Sequence, residues 1–418
     1  MVNNKLLLVT LVGSVLFGCT GCREASEKQY GANQSNTELL KASPDTHLIL
    51  NHKASTSSRD NKERQINSVK KMIKGNSLPT RSVVHKPSKP VRGIYVSGWI
   101  AGSKKRLDQL LALMDKTDLN TMVIDVKNDY GKLTYRSNLA QIQSIGADSN
   151  PVIADIQQLI SRLKEKNIYV IGRIVTFKDP LYARNYPAMA LQAKSGGVWH
   201  DSQGHAWLDP YQPGVHFYNQ AIAKEAAEFG FDEIQFDYVR FPDNGAKVDK
   251  EVQYYARNNK TKAEIIGVFL HNARESVHAA GARISADVFG LVTSADNDMG
   301  IGQTWRTVTS SVDVISPMIY PSHYSEGMYG VRQPDLNPAA IIKHAMKDAQ
   351  QRNAVIQKEG RQRPAEIRPW LQSFTATWIH PHQRYNAEQV LKQVEAVKAQ
   401  GIKQYLLWSS NCKYDYHS

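Results

Sequence analysis

The chain has 418 residues, a formal net charge of +13 and three cysteines. This length is ample for a large buried core. Cys19 and Cys22 lie near the amino terminus, so Cys412 is the single thiol of the remaining chain, which excludes a disulfide framework. No patterned histidine accompanies Cys412, and we expect a plain core or surface thiol rather than a nucleophile.

The positive charge is concentrated in the first quarter of the chain. Residues 23–89 contain 13 Lys+Arg against 6 Asp+Glu, and no nucleic-acid-binding motif accompanies them. A charged, Ser/Asn-rich stretch is typical of a solvated linker, which can lie against anionic lipid or wall polymer. The charge therefore does not indicate a nucleic-acid partner.

The first 18 residues have the pattern of a secretory signal peptide. A basic start is followed by an apolar run from Leu6 to Phe17, which is shorter than the roughly 20 residues that span a bilayer. Leu16-Phe17-Gly18-Cys19 resembles the bacterial lipobox, so we expect a lipoprotein anchored through Cys19 to a bacterial membrane, outside the cytoplasm. Cys22 is an alternative lipidation site, and a plain cleaved signal is the alternative interpretation.

Composition then divides the rest of the chain into two parts. Residues 19–90 are polar and basic, contain few aromatics and end in Lys-Pro-Ser-Lys-Pro, so we predict a disordered tether. Residues 91–418 have the alternating apolar pattern of a folded domain.

Eight β-like runs alternate with amphipathic helical segments after Val91, which predicts a (β/α)₈ TIM barrel. The runs are Gly93–Gly98, Thr121–Lys127, Tyr169–Val175, Glu233–Val239, Arg283–Phe289, Asp313–Tyr320, Ile367–Ser373 and Gln404–Ser409. The helical segments include Leu107–Asp115, Ile153–Glu165, Tyr218–Phe229, Lys262–Ala280 and Ala387–Ala399. A doubly wound open sheet is the alternative, but the first run lacks the Gly-rich phosphate turn that usually follows in such sheets.

Three acids lie on these runs between apolar neighbours: Asp125, Asp237 and Asp287. Because side chains alternate along a strand, we expect the neighbours to pack against helices and the acids to converge inside the barrel top. An unpaired buried carboxylate is costly. The structural alternative is an ion pair, with Lys127, Arg173 or Arg240 as the partner.

Paired carboxylates at a barrel mouth suit glycosidic cleavage, in which one acid protonates the leaving oxygen and the other attacks the sugar or activates water. Neighbouring strands lie about 4.8 Å apart, so acids on the fourth and fifth strands can reach the roughly 5–5.5 Å separation of retaining enzymes. We therefore predict Asp237 and Asp287 as catalytic residues, and Asp125, Lys127 and Arg173 as sugar-binding residues.

Aromatic residues at strand ends and in the following loops strengthen a carbohydrate interpretation, because flat apolar faces with polar edges stack on sugar rings. About half of them are expected to be core. The predicted substrate-binding set is Tyr95, Trp99, Trp199, Trp207, Tyr320, Trp370 and Trp408. The densest cluster lies in residues 196–210, where no spacing matches a zinc pattern, so we predict no metal and no cofactor.

Five stretches resemble the bacterial "putative glycosyl hydrolase domain" family, which is grouped with amylase-like barrels. They are Ile94–Gly98, Val123–Lys127, Ile234–Pro242, Ala286–Gly290 and Ile315–Tyr324. The resemblance covers about residues 91–415, and Phe-Asp-Tyr-Val-Arg-Phe-Pro at 236–242 is its most specific part. It implies a (β/α)₈ fold with Asp237 as nucleophile and Asp287 as the acid of strand five.

The chain departs from the amylase-like pattern in two places. Such enzymes carry Glu on strand five and Asp after strand seven, where this chain has Asp287 and the acid-free Trp370–Phe374. The general acid can therefore lie elsewhere, with Glu326 or Asp243 as candidates. Chitinase-type enzymes need a Glu at the position of Val239, so that mechanism is not expected.

The sequence thus predicts a monomeric glycoside hydrolase that acts on a bacterial envelope polysaccharide or exopolysaccharide. A non-catalytic lipoprotein that binds polysaccharide through the same cleft is the alternative. A metal-dependent hydrolase on the same barrel would be expected to carry a His-x-His pair on strand one, which this sequence lacks there.

Overall fold

The computed structural model describes residues 83–84, 86–360 and 363–417, and these belong to one compact unit. None of the helices in these ranges is long and apolar enough to cross a bilayer. The predicted signal peptide, Cys19, Cys22 and most of the predicted tether lie outside the described residues.

Eight parallel strands form the centre of this unit. They are β1 Arg92–Val96, β2 Thr121–Lys127, β3 Tyr169–Val175, β4 Glu233–Asp237, β5 Arg283–Phe289, β6 Val314–Ile319, β7 in two pieces (Glu366–Ile367 and Trp370–Gln372) and β8 Tyr405–Trp408. Each strand pairs with the next, and β8 pairs with β1, so the sheet is closed. The closed sheet confirms the predicted (β/α)₈ barrel and excludes the doubly wound alternative.

Seven helices connect successive strands on the outside of the barrel. They are α1 Lys104–Met114, α2 Ile156–Glu165, α3 Pro213–Glu228, α4 Lys262–Ala279, α5 Trp305–Thr309, α6 Pro338–Lys358 and α7 Ala387–Ala399. Shorter helices occupy the loops after β1 to β4, at Gly98–Gly102, Ala140–Ser144, Pro180–Asn185 and Gly245–Glu251. The helix α3 begins five residues before the predicted Tyr218 because Pro213 is well suited to a first helical turn.

Alternation along the strands separates two apolar layers. On β2, Met122, Ile124 and Val126 pack in the outer layer against the helices, while Val123 faces the barrel interior. The interior layer also contains Tyr95, Ile171, Tyr320, Trp370 and Leu406. Charged side chains inside the barrel are therefore costly unless they are paired or hydrogen-bonded.

An ion pair closes the amino-terminal end of the barrel. Arg368 Nη1 lies 2.7 Å from Glu233 Oε1, and both side chains are completely buried. The chain enters the barrel at this same end. There Lys86 Nζ lies 3.2 Å from Glu366 Oε1, and Asn120 Nδ2 donates to the Pro90 carbonyl.

No helix follows β8 within the described residues, in contrast to the seven earlier strands. Residues 409–417 contact the seam between β8 and β1 instead. The Tyr414 hydroxyl donates to the Tyr95 carbonyl at 2.6 Å, and the Tyr416 hydroxyl donates to Asp118 at 2.6 Å. Cys412 is a buried free thiol in this segment, and burial raises its pKa to about 11. The thiol is therefore protonated near neutral pH, as expected for a structural cysteine.

Candidate active site

Three carboxylates meet at the carboxyl-terminal end of the barrel. Asp125 lies on β2, Asp237 ends β4 and Asp287 lies on β5, and all three are buried. Phe236 and Ala286 are paired in the β4–β5 register, so Asp237 and Asp287 follow at the same level of neighbouring strands. The structure thus brings together the three acids that the alternation pattern placed inside the barrel.

Arg173 on β3 links two of these acids. Its Nη1 donates to Asp125 Oδ1 at 2.7 Å, and its Nε and Nη2 donate to Asp237 Oδ2 at 2.9 and 2.7 Å. Burial opposes the charge of Arg173, but the two carboxylates outweigh burial and raise its pKa. The guanidinium is therefore a fixed cation between β2 and β4, and it holds Asp237 in one orientation.

Asp287 lies outside this ion-pair system and has a different environment. Burial, and then repulsion from the Asp237 charge, raise the pKa of Asp287 well above its usual value. Two influences oppose them: the Trp370 indole N–H, which donates to Oδ1 at 2.8 Å, and the positive charge of Arg173. The pair is consequently unequal, with a proton favoured on Asp287 and the cation beside Asp237.

Asp125 is held from two sides. The Tyr95 hydroxyl donates to its Oδ2 at 2.7 Å, while Arg173 binds its other oxygen. Burial still raises the pKa of Asp125, although Arg173 and Tyr95 act against that shift. Asp125 and Asp237 are therefore linked through Arg173, which binds both of them.

The backbone after β4 turns sharply and contributes one more contact to Asp237. Tyr238 has a φ of 48°, in the left-handed region that non-glycine residues rarely adopt, and its N–H donates to Asp237 Oδ1 at 2.7 Å. The Arg240 guanidinium lies over the rings of Tyr238 and Phe289, at 5.0 and 4.4 Å from their centres. This turn ends β4 at Asp237, two residues before the predicted Val239.

Aromatic rings surround the acids inside the mouth. Tyr95 and Trp408 stack with ring centres 4.2 Å apart, and the Arg173 guanidinium lies 5.6 and 5.3 Å from the two rings. The Trp370 ring meets Trp408 edge-on at 5.6 Å, and Tyr320 is buried in the same interior layer. Four of the predicted substrate-binding aromatics therefore line the carboxylate site.

Lys127 does not lie in this site, contrary to the expectation that it shares a face with Asp125. A bulge between Asp125 and Lys127 interrupts the β2–β3 register and turns Lys127 to the outer layer. Its ammonium lies 2.7 Å from Asp179 and 2.9 Å from Asn219 Oδ1, and both charged side chains are completely buried. A side chain with no exposed surface offers no contact to a sugar.

The other predicted residues are distributed over the rim. The indole N–H groups of Trp199 and Trp207 donate to Glu251 and Asp201, both at 2.9 Å, and both rings are buried. Trp99 is 74% exposed after β1. The acids proposed as alternative proton donors, Glu326 and Asp243, have side chains that are 73% and 66% exposed and lie near Arg332 and Arg240.

The structure adds residues that the sequence analysis did not select. Asp129, two residues after β2, lies 3.8 Å from Arg173 Nη2 with a half-exposed carboxylate. His323 and Phe374 lie in the loops after β6 and β7 and contact Tyr320. Both residues lie just after predicted strands, and this is the sequence feature by which they could have been selected. Within the described ranges, no group of three or more His, Cys, Asp or Glu side chains is arranged to hold a metal ion.

Comparison with known proteins agrees with this geometry. A (β/α)₈ barrel with acids on neighbouring strands at its carboxyl-terminal mouth is an architecture used by glycoside hydrolases. The chain belongs to the family described as "Putative glycosyl hydrolase domain", whose model matches residues 93–414.

The chain was also compared with solved structures and with curated proteins. The chain is 40% identical to a hypothetical protein from Ruminiclostridium thermocellum ATCC 27405, covering 47% of this chain and 97% of that chain with a TM-score of 0.43. It is 15% identical to the PgaB (BpsB) glycoside hydrolase domain from Bordetella bronchiseptica, covering 77% and 95% of the two chains with a TM-score of 0.53, which indicates a shared fold. No curated protein matches the chain.

Proposed function

We propose that this protein is a glycoside hydrolase that cleaves a bacterial envelope polysaccharide or exopolysaccharide at the Asp237–Asp287 pair. One observation carries the proposal. Two carboxyl groups occupy the same level of neighbouring strands, and the surroundings favour a proton on Asp287 while a cation lies beside Asp237. Glycosidic cleavage requires one protonated and one ionised carboxyl group in such an arrangement.

Asp287 is assigned the role of general acid. In the proposed reaction its proton passes to the glycosidic oxygen as the bond from the anomeric carbon to that oxygen breaks. The Trp370 N–H fixes Oδ1, so the second oxygen carries the transferable proton. Departure of the alcohol leaves Asp287 ionised, and transfer of a proton from water restores it.

Asp237 is assigned the role of nucleophile or general base. Arg173 and the Tyr238 N–H hold its two oxygens, while an ionised carboxylate still has unused lone pairs. These can attack the anomeric carbon or take a proton from the attacking water. Arg173, Tyr95 and Asp125 are positioning residues for this group.

The test is release of new reducing ends from a panel of bacterial polysaccharides by the full-length protein. We expect the wild type to release them from at least one polymer, and Asp237→Asn to lower the rate by at least about a hundredfold. Asp115→Asn is the matched control, because its carboxylate is 60% exposed on the barrel surface beside Lys166. Equal rates for wild type and Asp237→Asn contradict the role of Asp237.

The alternative function, a polysaccharide-binding protein without activity, rests on the Arg173–Asp237 ion pair, which is a stable arrangement without any reaction. The presence of Asp287 as a second acid favours the enzyme. Retention of wild type on a polymer without release of reducing ends from any polymer would assign the binding function.

A second proposal concerns the location of the protein in the cell. We propose that Cys19 carries the lipid and that the barrel works outside the cytoplasm at the cell envelope. The lipobox-like Leu16–Cys19 and the preceding apolar run support it. A polymer in the envelope would then be the substrate within reach.

A further inference from the structure

A second group of aromatic rings lies beyond the carboxylate pair, on the loops after β6 and β7. Phe374 and Trp378 are nearly parallel, with ring centres 6.0 Å apart and 17° between their planes. Tyr320 and His323 meet Phe374 edge-on, at 5.6 and 6.1 Å. We name Tyr320, His323, Phe374 and Trp378 the upper aromatic cluster.

The upper aromatic cluster continues the wall of the carboxylate site. Phe374 packs against the interior layer that contains Trp370, and the Trp370 indole donates to Asp287. Tyr320 is buried in this layer, and the charges of Asp287 and Asp237, after burial itself, raise its pKa. The wall is therefore continuous from Asp287 through Trp370 and Tyr320 to Phe374.

The outer members of the cluster are open to solvent. Phe374 and Trp378 are partly exposed, and His323 is exposed. The His323 Nδ1 lies 2.9 Å from the Ser322 hydroxyl, which fixes the ring orientation. The neighbouring protein lowers the pKa of His323 below its usual value, so the imidazole is neutral near pH 7. A neutral imidazole has one donor and one acceptor nitrogen.

We infer that His323, Phe374 and Trp378 form a binding subsite for an uncharged hexopyranose ring next to the Asp237–Asp287 pair. The apolar C–H face of the sugar lies on Phe374 and Trp378, and a hydroxyl or N-acyl group bonds to His323. The three side chains supply stacking and one neutral polar contact, which match an uncharged sugar better than a uronic acid. The inference deepens the proposed function and depends on it only for the reaction that follows binding.

The experiment measures binding at Trp378 directly and needs no hydrolysis. The full-length protein is labelled with fluorotryptophan, and the Trp378→Phe variant assigns the Trp378 fluorine resonance among the seven tryptophans. Glucose, galactose, mannose, N-acetylglucosamine and N-acetylgalactosamine are each titrated to about 0.2 M, since single sugars are expected to bind with millimolar affinity. We expect at least one of them to shift the Trp378 resonance along a saturating curve.

Variants then test the subsite residues. We expect Phe374→Ala and His323→Ala to weaken the binding of that sugar at least about fivefold, and His323→Gln to retain more affinity than His323→Ala because the amide both donates and accepts. Tyr255→Ala is the control, because Tyr255 is a 74% exposed ring after β4, outside the cluster. The control is expected to leave the titration unchanged.

Two results overturn the inference. One is a Trp378 resonance that none of the five sugars moves. The other is a shift whose affinity is the same in His323→Ala and Phe374→Ala as in wild type. Reducing-end release is scored separately: sugar binding at Trp378 without hydrolysis of any polymer contradicts the proposed function alone, and hydrolysis without binding contradicts this subsite alone.

Discussion

Asp237 and Asp287 are the same residue type on neighbouring strands, and their hydrogen-bond donors and neighbouring charges differ. Three N–H donors, from Arg173 and Tyr238, converge on Asp237. For Asp287 the structure gives one indole donor and the repulsion of the Asp237 charge. Because Arg173 lies on β3, next to β4, it binds Asp237 directly and leaves Asp287 without an ion pair.

This difference predicts a pH-dependent stability effect of Asp287→Asn. Because the pKa of Asp287 is raised in the folded protein, its carboxyl group stabilises the fold fully below the unfolded pKa of about 4, and that stabilisation is lost as pH rises through the folded pKa. The amide side chain of the Asp287→Asn variant does not ionise, so the variant does not lose stability in this way. We therefore expect Asp287→Asn to gain stability relative to wild type as pH rises from about 5 to about 8.

Urea unfolding of both proteins between about pH 5 and about pH 8 measures this difference. Asp115→Asn serves again as the exposed control. A free-energy difference between variant and wild type that stays constant, or that falls with rising pH, would show that Asp287 is ionised in the fold.

At the scale of single elements, β2 shows where strand alternation fails. Asp125 faces the interior as alternation predicts, but the bulge that follows sends Lys127 to the helix side, where it binds Asp179 and Asn219. This pair has no exposed surface. We therefore expect Lys127→Met to destabilise the fold by about 3–5 kcal/mol, because it leaves the Asp179 carboxylate buried without its cation.

The measurement is urea unfolding, with Lys166→Met as control because the Lys166–Asp115 pair is exposed and is expected to contribute less than about 1 kcal/mol. The double variant Lys127→Met/Asp179→Asn should recover part of the loss. Per amount of folded protein, Lys127→Met should cleave polysaccharide as wild type does. Lost cleavage with unchanged stability would instead support the sugar-binding role predicted from the sequence.

These elements also show how far sequence reasoning extends. Alternating apolar residues were sufficient to predict the strands and to place Asp125, Asp237 and Asp287 inside the barrel, since burial of one face is a local property. A bulge was not predictable, because it depends on the partner strand and on Asp179, 52 residues away. The pairing of Arg173 with two acids likewise requires the register of three strands.

The long segment after β3 demonstrates the same limit for aromatic residues. The sequence predicts that Trp199 and Trp207 bind substrate. In the structure Trp199 donates to Glu251, which is 52 residues later in the chain, and Trp207 donates to Asp201. A short sheet between Gln192–Ala193 and Val252–Gln253 holds the two loops together. Composition cannot distinguish an indole that binds a ligand from one that binds a distant acid of its own chain.

At the scale of the whole molecule, the proposed lipid at Cys19 leads to a prediction about cell fractionation. We expect the wild type to incorporate a labelled fatty acid and to sediment with membranes, and Cys19→Ala to lose both properties, because acyl chains supply the membrane affinity. Cys22→Ala is the matched control and should behave as wild type. Loss of label in Cys22→Ala but not in Cys19→Ala would move the anchor to Cys22.

The two ends of the barrel have opposite roles. The carboxyl-terminal end holds the acids, and the amino-terminal end is closed by the Arg368–Glu233 pair and receives the chain at Lys86. The described chain thus approaches the barrel at the end opposite to the acids. A polysaccharide can therefore reach the acids without meeting the segment of chain that enters at Lys86.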